Sequence, residues 1–343
     1  MKQKILLVAT LASCFSWAQQ LDNTNEPVIG EVQTMYVMDS NLNMMSGVTG
    51  SGVTWDYSDL AGFPGITRNI EILDPTTTAH ADTFSTSTKV LKIGNAIKNY
   101  INSTATERIS QGFVYNEPSF GEVIAKFEDD EEIMVTYPFL LGSSLSDTYG
   151  GFLYFDLNGN PQNEPALGSV RASIDGEGTL MLPNATTYNN VIRYKMIDTS
   201  LTTITLFGDL EIVRLQYEYY DIANNRLPVF TVSHIVIQQP GVGIPLTEQV
   251  IVLSSVMPTV NAGLDKVEPF NVRVYPNPTR NLIRLTGGFG PNATAEIYDQ
   301  TGRLLFSGFA NTGGIDISAF ETGMYVLKVI DKGSSVTRTI VKQ

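Results

Sequence analysis

The chain is short of the residues on which much enzyme chemistry depends. Its 343 residues include one cysteine, Cys14, and two histidines, His80 and His234. One cysteine cannot supply an internal disulfide or a cysteine-based metal site. The two histidines have no zinc-site spacing, and no serine lies in a G-x-S-x-G sequence. We therefore expect both histidines to be structural or surface residues, and we expect no serine or cysteine nucleophile.

Basic residues are also scarce over most of the chain. Residues 19–270 contain twelve Lys and Arg against thirty Asp and Glu, a net charge of −18. Nucleic acid is an improbable partner for this region, because phosphate binding needs clustered Lys and Arg. The sign reverses in residues 271–343, which carry eight basic and five acidic residues. The reversal predicts a body of residues 19–260, a linker of residues 261–270 and a separate C-terminal domain of residues 271–343.

Long apolar runs are absent, and the main short run lies at the N-terminus. Ile5–Ala12 follows two lysines and precedes the small-residue sequence Ser16-Trp17-Ala18. This order is typical of a secretory signal peptide, and the run is too short to cross a bilayer as a mature helix. We predict a signal peptide of residues 1–18, cleaved after Ala18. The alternative is a lipoprotein, because Leu11-Ala12-Ser13-Cys14 resembles a lipobox in which Cys14 would be lipidated.

The residues that are abundant favour strands and turns. Thr, Ser, Asn and Gly alternate with Val, Ile, Tyr and Phe, which predicts an all-β chain. We expect a β-sandwich or jelly-roll-like body followed by a small Ig-like β-sandwich. Leu91–Ile101 is the one segment in which we consider a short helix. The acidic run Glu128–Glu132 is expected at the exposed tip of a hairpin, because like charges repel within a strand.

Several motifs of the C-terminal domain occur together and in order. They are VYPNPT at Val274–Thr279, IYDQTGRLL at Ile297–Leu305, IDIS at Ile315–Ser318 and ETGMYVLKV at Glu321–Val329, followed by a basic last strand. Together they resemble the type A C-terminal sorting domain of the Bacteroidetes type IX secretion system. The motif residues are Tyr275, Pro276, Asn277, Pro278, Gly302, Gly323 and Tyr325.

This resemblance implies transport and no chemistry of its own. It implies passage across the inner membrane by the signal peptide and across the outer membrane by the type IX machinery. The domain would then be removed, and the body released or attached to surface lipopolysaccharide. The body itself resembles secreted Bacteroidetes proteins, to which no activity is attached, through segments such as WDYSDL at Trp55–Leu60.

One turn of the body is a candidate calcium site. Asp156, Asn158 and Asn160 alternate as do the first oxygen ligands of a calcium-binding loop. Pro161 stands where a glycine is expected, and Leu167 stands where the last acidic ligand is expected. A plain hairpin turn is the favoured alternative.

Two acidic pairs and a set of aromatic residues could serve carbohydrate chemistry. Asp175 with Glu177, or Asp209 with Glu211, would suit a glycosidase if a pair faced across a cleft, although turn and solvent-facing acids are favoured. Sugar-stacking surfaces could come from Trp55, Tyr149, Tyr217, Tyr219 and Tyr220. A buried core strand is the favoured alternative, because Val213 and Leu215 share a face with Tyr217 and Tyr219.

The sequence therefore predicts an exported cell-surface or secreted protein. We expect its body to be a non-catalytic binding or adhesion module, with glycans as the ligand considered first. The alternative is an extracellular hydrolase that uses paired carboxylates. No cofactor is expected apart from the calcium candidate, and the predicted partner of the C-terminal domain is the type IX machinery.

Overall fold

A computed structural model describes residues 19–40, 42–117, 121–156, 159–204, 208–241, 245, 247–258, 272–299, 303–310, 313–331 and 334–343. The predicted signal peptide with Cys14, the predicted linker, Asn158 and Gly302 lie outside these residues. Helical structure in the described part is limited to three 3₁₀ turns, at Asn23–Asn25, Leu42–Met44 and Pro75–Thr77. None of the described helices is long and apolar enough to cross a membrane.

Strands make up the rest of the regular structure. The first strands of the body are β1 (Gln20–Leu21), β2 (Val32–Gln33), β3 (Tyr36–Met38), β4 (Gly50–Asp56), β5 (Gly62–Thr67), β6 (Ile70–Leu73), β7 (Lys89–Ile93), β8 (Ile97–Ser103) and β9 (Glu107–Glu117). They are followed by β10 (Gly121–Asp130), β11 (Glu132–Thr136), β12 (Phe139–Leu140), β13 (Ser144–Asp156), β14 (Pro161–Leu182), β15 (Thr186–Ile204), β16 (Gly208–Tyr220), β17 (Phe230–Gln238) and β18 (Thr247–Ser254). The C-terminal domain contains β19 (Val272–Tyr275), β20 (Leu282–Gly287), β21 (Thr294–Tyr298), β22 (Leu304–Phe309), β23 (Ile315–Asp316), β24 (Gly323–Asp331) and β25 (Ser334–Lys342).

Sixteen strands of the body belong to one sheet, in which most neighbours in sequence are antiparallel neighbours in space. Its longest strand is the 22-residue strand β14, which pairs with β13, β15 and β4. The first part of one β14 edge pairs with β13, and the last part of the same edge pairs in parallel with β4. A side chain at Gly178 would place its Cβ 1.9 Å from the Val53 carbonyl oxygen. Glycine is therefore required at position 178, where β4 pairs with β14.

The sheet curls, so that strands far apart along it share one core. Met35, Ile70, Ile72, Leu227 and Leu253 form a single buried cluster, which brings β6 against β18. Alternate residues of β15 pack on opposite sides of the sheet. Tyr194 and Met196 pack with Phe139 on the inner side. Val191 lies in a second cluster with Trp55 and Tyr219 on the outer side. The all-β prediction is confirmed, and this single curled sheet supplies the packed layers of the body.

Two local predictions are wrong. Leu91–Ile101 is a hairpin of β7 and β8, with Gly94 at φ +54° in its turn, and contains no helix. The acidic run does not sit at a hairpin tip, because β10 and β11 both run antiparallel to β9 in the same direction. The strand continues after a bulge, in which Glu128–Glu131 are exposed while Phe127 and Glu132 are buried. Like a turn, a bulge takes like-charged residues out of the hydrogen-bonded pairing between strands.

The C-terminal domain consists of two small sheets. Strands β19, β20 and β23 form one, and β22, β21, β24 and β25 form the other. Ile283, Ile297, Leu327, Val329 and Ile340 lie in the core between them. Over the described residues this is a small two-sheet β-sandwich, as the sequence predicts.

Candidate functional site

An open groove of about 400 Å³ lies on the outward face of β13, β14 and β15. We call it the serine groove, and its lining residues are Ser144, Leu145, Ser146, Arg171, Ala172, Ser173, Lys195 and Ile197. The strand register sets Ser144, Ser173 and Lys195 side by side in one row, and Ser146, Arg171 and Ile197 in the next. Cross-strand partners point to the same side of a sheet. The groove therefore presents serine hydroxyls, two cations and one aliphatic side chain together.

The outward face remains open beyond this groove. Leu167 and Leu201 are cross-strand partners that are 66 % and 44 % exposed. Thr199 and Val213, in the neighbouring row, are half-buried. The other end of the same face is covered by the aromatic cluster around Trp55. One half of the central sheet is thus packed on both sides, and the other half offers a partly apolar surface to solvent.

Arg171 and Lys195 differ from most cations of the body in having no carboxylate partner among the described residues. Seven of the eleven described Lys and Arg residues of the body form ion pairs, namely Lys89, Lys92, Arg108, Lys126, Arg193, Arg214 and Arg226. No carboxylate lines the serine groove. The groove is therefore a small region of positive charge on an acidic body.

A second cleft, of about 590 Å³, has the opposite charge. It lies between the loop of residues 82–86 and the bulge that follows Lys126, and its acids are Asp82, Glu128, Asp129, Asp130 and Glu131. Gln111, which is 6 % exposed, lines it and donates a 2.8 Å hydrogen bond to Glu131. Phe84 anchors the loop by stacking on Tyr100 at a ring distance of 4.0 Å. The sequence indicated the acids of this acidic cleft but predicted the wrong local structure around them.

One buried acid was not predicted as a site residue. Glu132 is 4 % exposed, and one of its carboxylate oxygens has no hydrogen-bond partner. Burial, together with the neighbouring charge of Asp198, raises the pKa of Glu132 to about 8. Asp198 accepts hydrogen bonds from Tyr149 and Arg214. Glu132 is buried and lines neither of the two described clefts. In the sequence, Glu132 differed from other acids only in being the last residue of the acidic run Glu128–Glu132.

The predicted carboxylate pairs have separate structural partners. Asp175 receives two hydrogen bonds from Arg193, at 2.7 and 3.0 Å. Glu177 accepts a hydrogen bond from Ser51, Asp209 accepts one from Thr203, and Glu211 accepts one from Gln238. None of the four carboxylates lines either cleft described above. Each of the four carboxylates is therefore engaged by a structural partner outside the two clefts, which favours the turn and solvent-facing alternative over a glycosidase pair.

The five aromatic residues considered for sugar stacking are core residues. Trp55, Tyr149, Tyr217, Tyr219 and Tyr220 are each at most 5 % exposed. The guanidinium carbon of Arg193 lies 4.3 Å from the centre of the Tyr217 ring, where a cation–π contact stabilises the buried charge. The favoured alternative of a core strand accounts for their positions, since buried rings offer a ligand no stacking surface.

The candidate calcium turn joins β13 and β14. Asp156 ends β13, pairs with Pro161 across the hairpin and accepts a hydrogen bond from the backbone N–H of Gly159. Asn158 lies outside the described residues, and the backbone oxygen of Asn160 accepts a bond from Gln162. Within the described ranges, no group of three or more His, Cys, Asp or Glu side chains is placed to hold a metal ion. The calcium site stays a prediction, while the Asp156 contacts are those of a hairpin turn.

The two histidines each pair with a glutamate and do not meet. His80 lies 2.9 Å from Glu122, and His234 lies 2.9 Å from Glu248. His234 projects from the outward face of β17, and His80 lies in the loop before β7. Neither lines the serine groove or the acidic cleft.

One motif residue of the C-terminal domain, Asn277, holds its last strand in place. The Asn277 side chain donates a 2.8 Å bond to the Thr339 carbonyl and accepts a 2.7 Å bond from the Val341 N–H. The backbone N–H of Thr279 donates to the Val341 carbonyl at 2.8 Å. The turn around Asn277 thereby pairs with the outer edge of β25. Tyr325 is buried in the core and donates to the Glu321 carbonyl, whereas Tyr275 is 43 % exposed.

The C-terminal domain is the part of the chain that matches a known protein family. A family model described as a secretion system C-terminal sorting domain matches residues 273–343. This segment is a type IX C-terminal sorting domain. The sorting domain makes the chain a secreted or cell-surface protein of the type IX route and implies interaction with the type IX machinery. No curated protein and no solved structure matches the chain.

Proposed function

We propose that the body is a non-catalytic binding module that holds a glycan in the serine groove. The observation that carries this proposal is the open half of the outward face, where hydroxyl and cationic side chains lie beside half-buried aliphatic ones. A sugar ring combines hydroxyl groups with apolar C–H faces, so its binding site needs both kinds of contact. Ser144, Ser146 and Ser173 would bond sugar hydroxyls, and Ile197 would contact the ring.

The absence of carboxylates from the groove lining favours binding over hydrolysis. Glycoside hydrolysis uses an acid and a second carboxylate on opposite sides of the scissile bond. The described acid with the most suitable pKa, Glu132, does not line the groove. The hydrolase alternative stays a prediction, and the acidic cleft is the place where its carboxylates would have to act.

The proposed route to the surface combines both export elements. The predicted signal peptide would carry the chain to the periplasm, and the sorting domain directs it through the outer membrane. Attachment to surface lipopolysaccharide after removal of the sorting domain is part of this proposal.

A glycan array followed by an activity panel tests the proposal. We expect the chain lacking its signal peptide to bind a subset of glycans and to release no sugar from them. Ser173→Trp fills the serine groove and should weaken binding at least tenfold. The matched control is Ser85→Trp, which places the same side chain in the acidic cleft and should leave binding unchanged. Sugar release from a bound glycan, or no bound glycan at all, would contradict the proposal.

A further inference from the structure

The serine groove contains a pair of like charges, and its lining among the described residues includes no carboxylate. Lys195 lies directly across from Ser173, and Arg171 lies across from Ile197, so the two cations are diagonal neighbours on one face of β14 and β15. Like charges at this spacing repel each other. Neither side chain has an ion-pair partner among the described residues, and no carboxylate lines the groove.

Acidic residues that could pair with these two cations are abundant in the body. Residues 19–270 carry thirty acids and twelve bases, so the body has more than enough carboxylates to pair with every cation. The acids that follow on the same strands already have partners: Asp175 pairs with Arg193, and Asp198 pairs with Arg214. Two of the four described body cations without an ion pair thus lie together at the groove, where a bound anion would relieve their repulsion.

The side chains around the two cations suit an anionic group carried on a sugar. Arginine presents a planar fork of N–H donors that matches a carboxylate or sulfate, and lysine adds a point charge. Ser144 and Ser173, in the row of Lys195, and Ser146, beside Arg171, add hydroxyl groups. Half-buried Ile197 completes the surface with an apolar contact.

We infer that the serine groove selects glycans that carry a carboxylate or sulfate group, and that Arg171 and Lys195 hold this group. The inference rests on the proposed function, because it names the class of glycan. The shared chemistry is a singly charged oxyanion on a sugar ring. Uronic acids and sulfated sugars are its two possible sources.

Calorimetric titration with three matched oligosaccharides tests the inference: one of uronic acids, one sulfated, and one neutral with the same backbone. We expect at least one anionic oligosaccharide to bind tenfold or more tightly than the neutral one. Arg171→Gln or Lys195→Gln should each weaken binding of that ligand about tenfold, and binding of the neutral ligand less than twofold. The stronger of the two anionic ligands identifies the source of the group.

The controls are the other two described cations of the body that form no ion pair. Lys98→Gln and Arg68→Gln remove the same charges elsewhere and should leave the affinity unchanged, which separates a local site from the net charge. Equal binding of neutral and anionic oligosaccharides would overturn the anion selectivity and leave the proposed glycan binding intact. Equal losses in all four charge variants would also overturn it, since the effect would come from overall charge. If none of the three oligosaccharides binds and the array shows no glycan, the proposed function fails as well.

Discussion

Two buried glutamates show how neighbours decide the effect of burial on a carboxylate. Burial opposes ionisation in both. For Glu26, the charge of Arg108 and hydrogen bonds from Tyr137, Ser103 and Lys89 outweigh burial and lower the pKa to about 2. For Glu132, burial and the charge of Asp198 outweigh the favourable charge of Arg214, and the pKa rises to about 8. The same residue type is thus ionised in one cluster and protonated at neutral pH in another.

Glu132→Gln should stabilise the body at alkaline pH. Between the ordinary glutamate pKa of 4.5 and about 8, the unfolded chain loses the proton that the folded chain keeps. The free energy of unfolding of the wild type therefore falls as the pH rises through this window. Glutamine cannot ionise, so at pH 8.5 the variant should be more stable by about 1–3 kcal/mol, and near pH 4.5 the two should be similar. Denaturant unfolding at both pH values measures this.

Glu26→Gln provides a comparison with the opposite sign. The lowered pKa of Glu26 gives stability above pH 4.5 that is lost as the pH falls toward 2. Its replacement leaves buried Arg108 and half-buried Lys89 without their carboxylate and should cost about 3–5 kcal/mol at pH 7. If both variants changed stability in the same direction at pH 8.5, the assignment of their charge states would be wrong.

Arg193 connects the segment before β4 to the central sheet. Its side chain is 0 % exposed, and it donates to the carbonyls of Ser46 and Val48 at 2.8 and 2.9 Å while pairing with Asp175. Arg193→Ala should lower the free energy of unfolding by about 3–5 kcal/mol, because it leaves the Asp175 carboxylate and the Ser46 carbonyl without this donor and leaves the Val48 carbonyl only the bond from Trp55. Arg226→Ala breaks a pair whose arginine is 46 % exposed and should cost at most about 1 kcal/mol. Urea unfolding of both variants makes the comparison, and equal losses would argue against the role of Arg193.

At the scale of elements, alternation of residue types predicted strands but did not fix their register. Arg171 and Lys195 become neighbours only through the pairing of β14 with β15, which is set by the turn at Asn184 and Ala185, both at φ 58°. Positive φ at Ala185 has no signal in the sequence. The acidic bulge was missed for a related reason, because repulsion among Glu128–Glu131 indicates exposure without distinguishing a turn from a bulge. The sorting domain was predictable because its turn residues occur in a recognisable order.

The Asn277 side chain replaces a neighbouring strand at the outer edge of β25. Asn277→Ala removes two hydrogen bonds to that edge and should destabilise the sorting domain by about 1–3 kcal/mol. Hydrogen exchange at the Val341 amide should accelerate by at least tenfold. Asn292→Ala, which replaces an exposed asparagine of the same domain, should leave this exchange unchanged. Unaltered protection of Val341 in Asn277→Ala would show that the turn does not hold the strand.

At the scale of the whole molecule, the cores of the body and of the sorting domain are built from separate residues. The cluster around Leu327 contains only C-terminal residues, and the clusters around Trp55, Phe139 and Met35 contain only body residues. Leu210 of the body contacts a small cluster that contains Met324 and Val341. The net charges of the two parts also differ in sign. Separate cores and opposite net charges favour a body and a sorting domain that fold independently.

Removal of residues 271–343 should abolish export and leave the body folded. The deletion removes the packing of partly exposed Leu210 on that small cluster and the approach of β18 to β25, and it should change the free energy of unfolding of the body by less than about 1 kcal/mol. Cell fractionation should find the truncated chain in the periplasm and the full chain at the surface or in the medium. Asn277→Ala in the full chain keeps the sorting domain but removes the two hydrogen bonds that hold β25. This variant therefore tests whether export needs a correctly folded sorting domain. Normal surface levels of the truncated chain would contradict the sorting role. A large loss of body stability would instead show that the two parts form one cooperative unit, since only a shared core could transmit the deletion to the body.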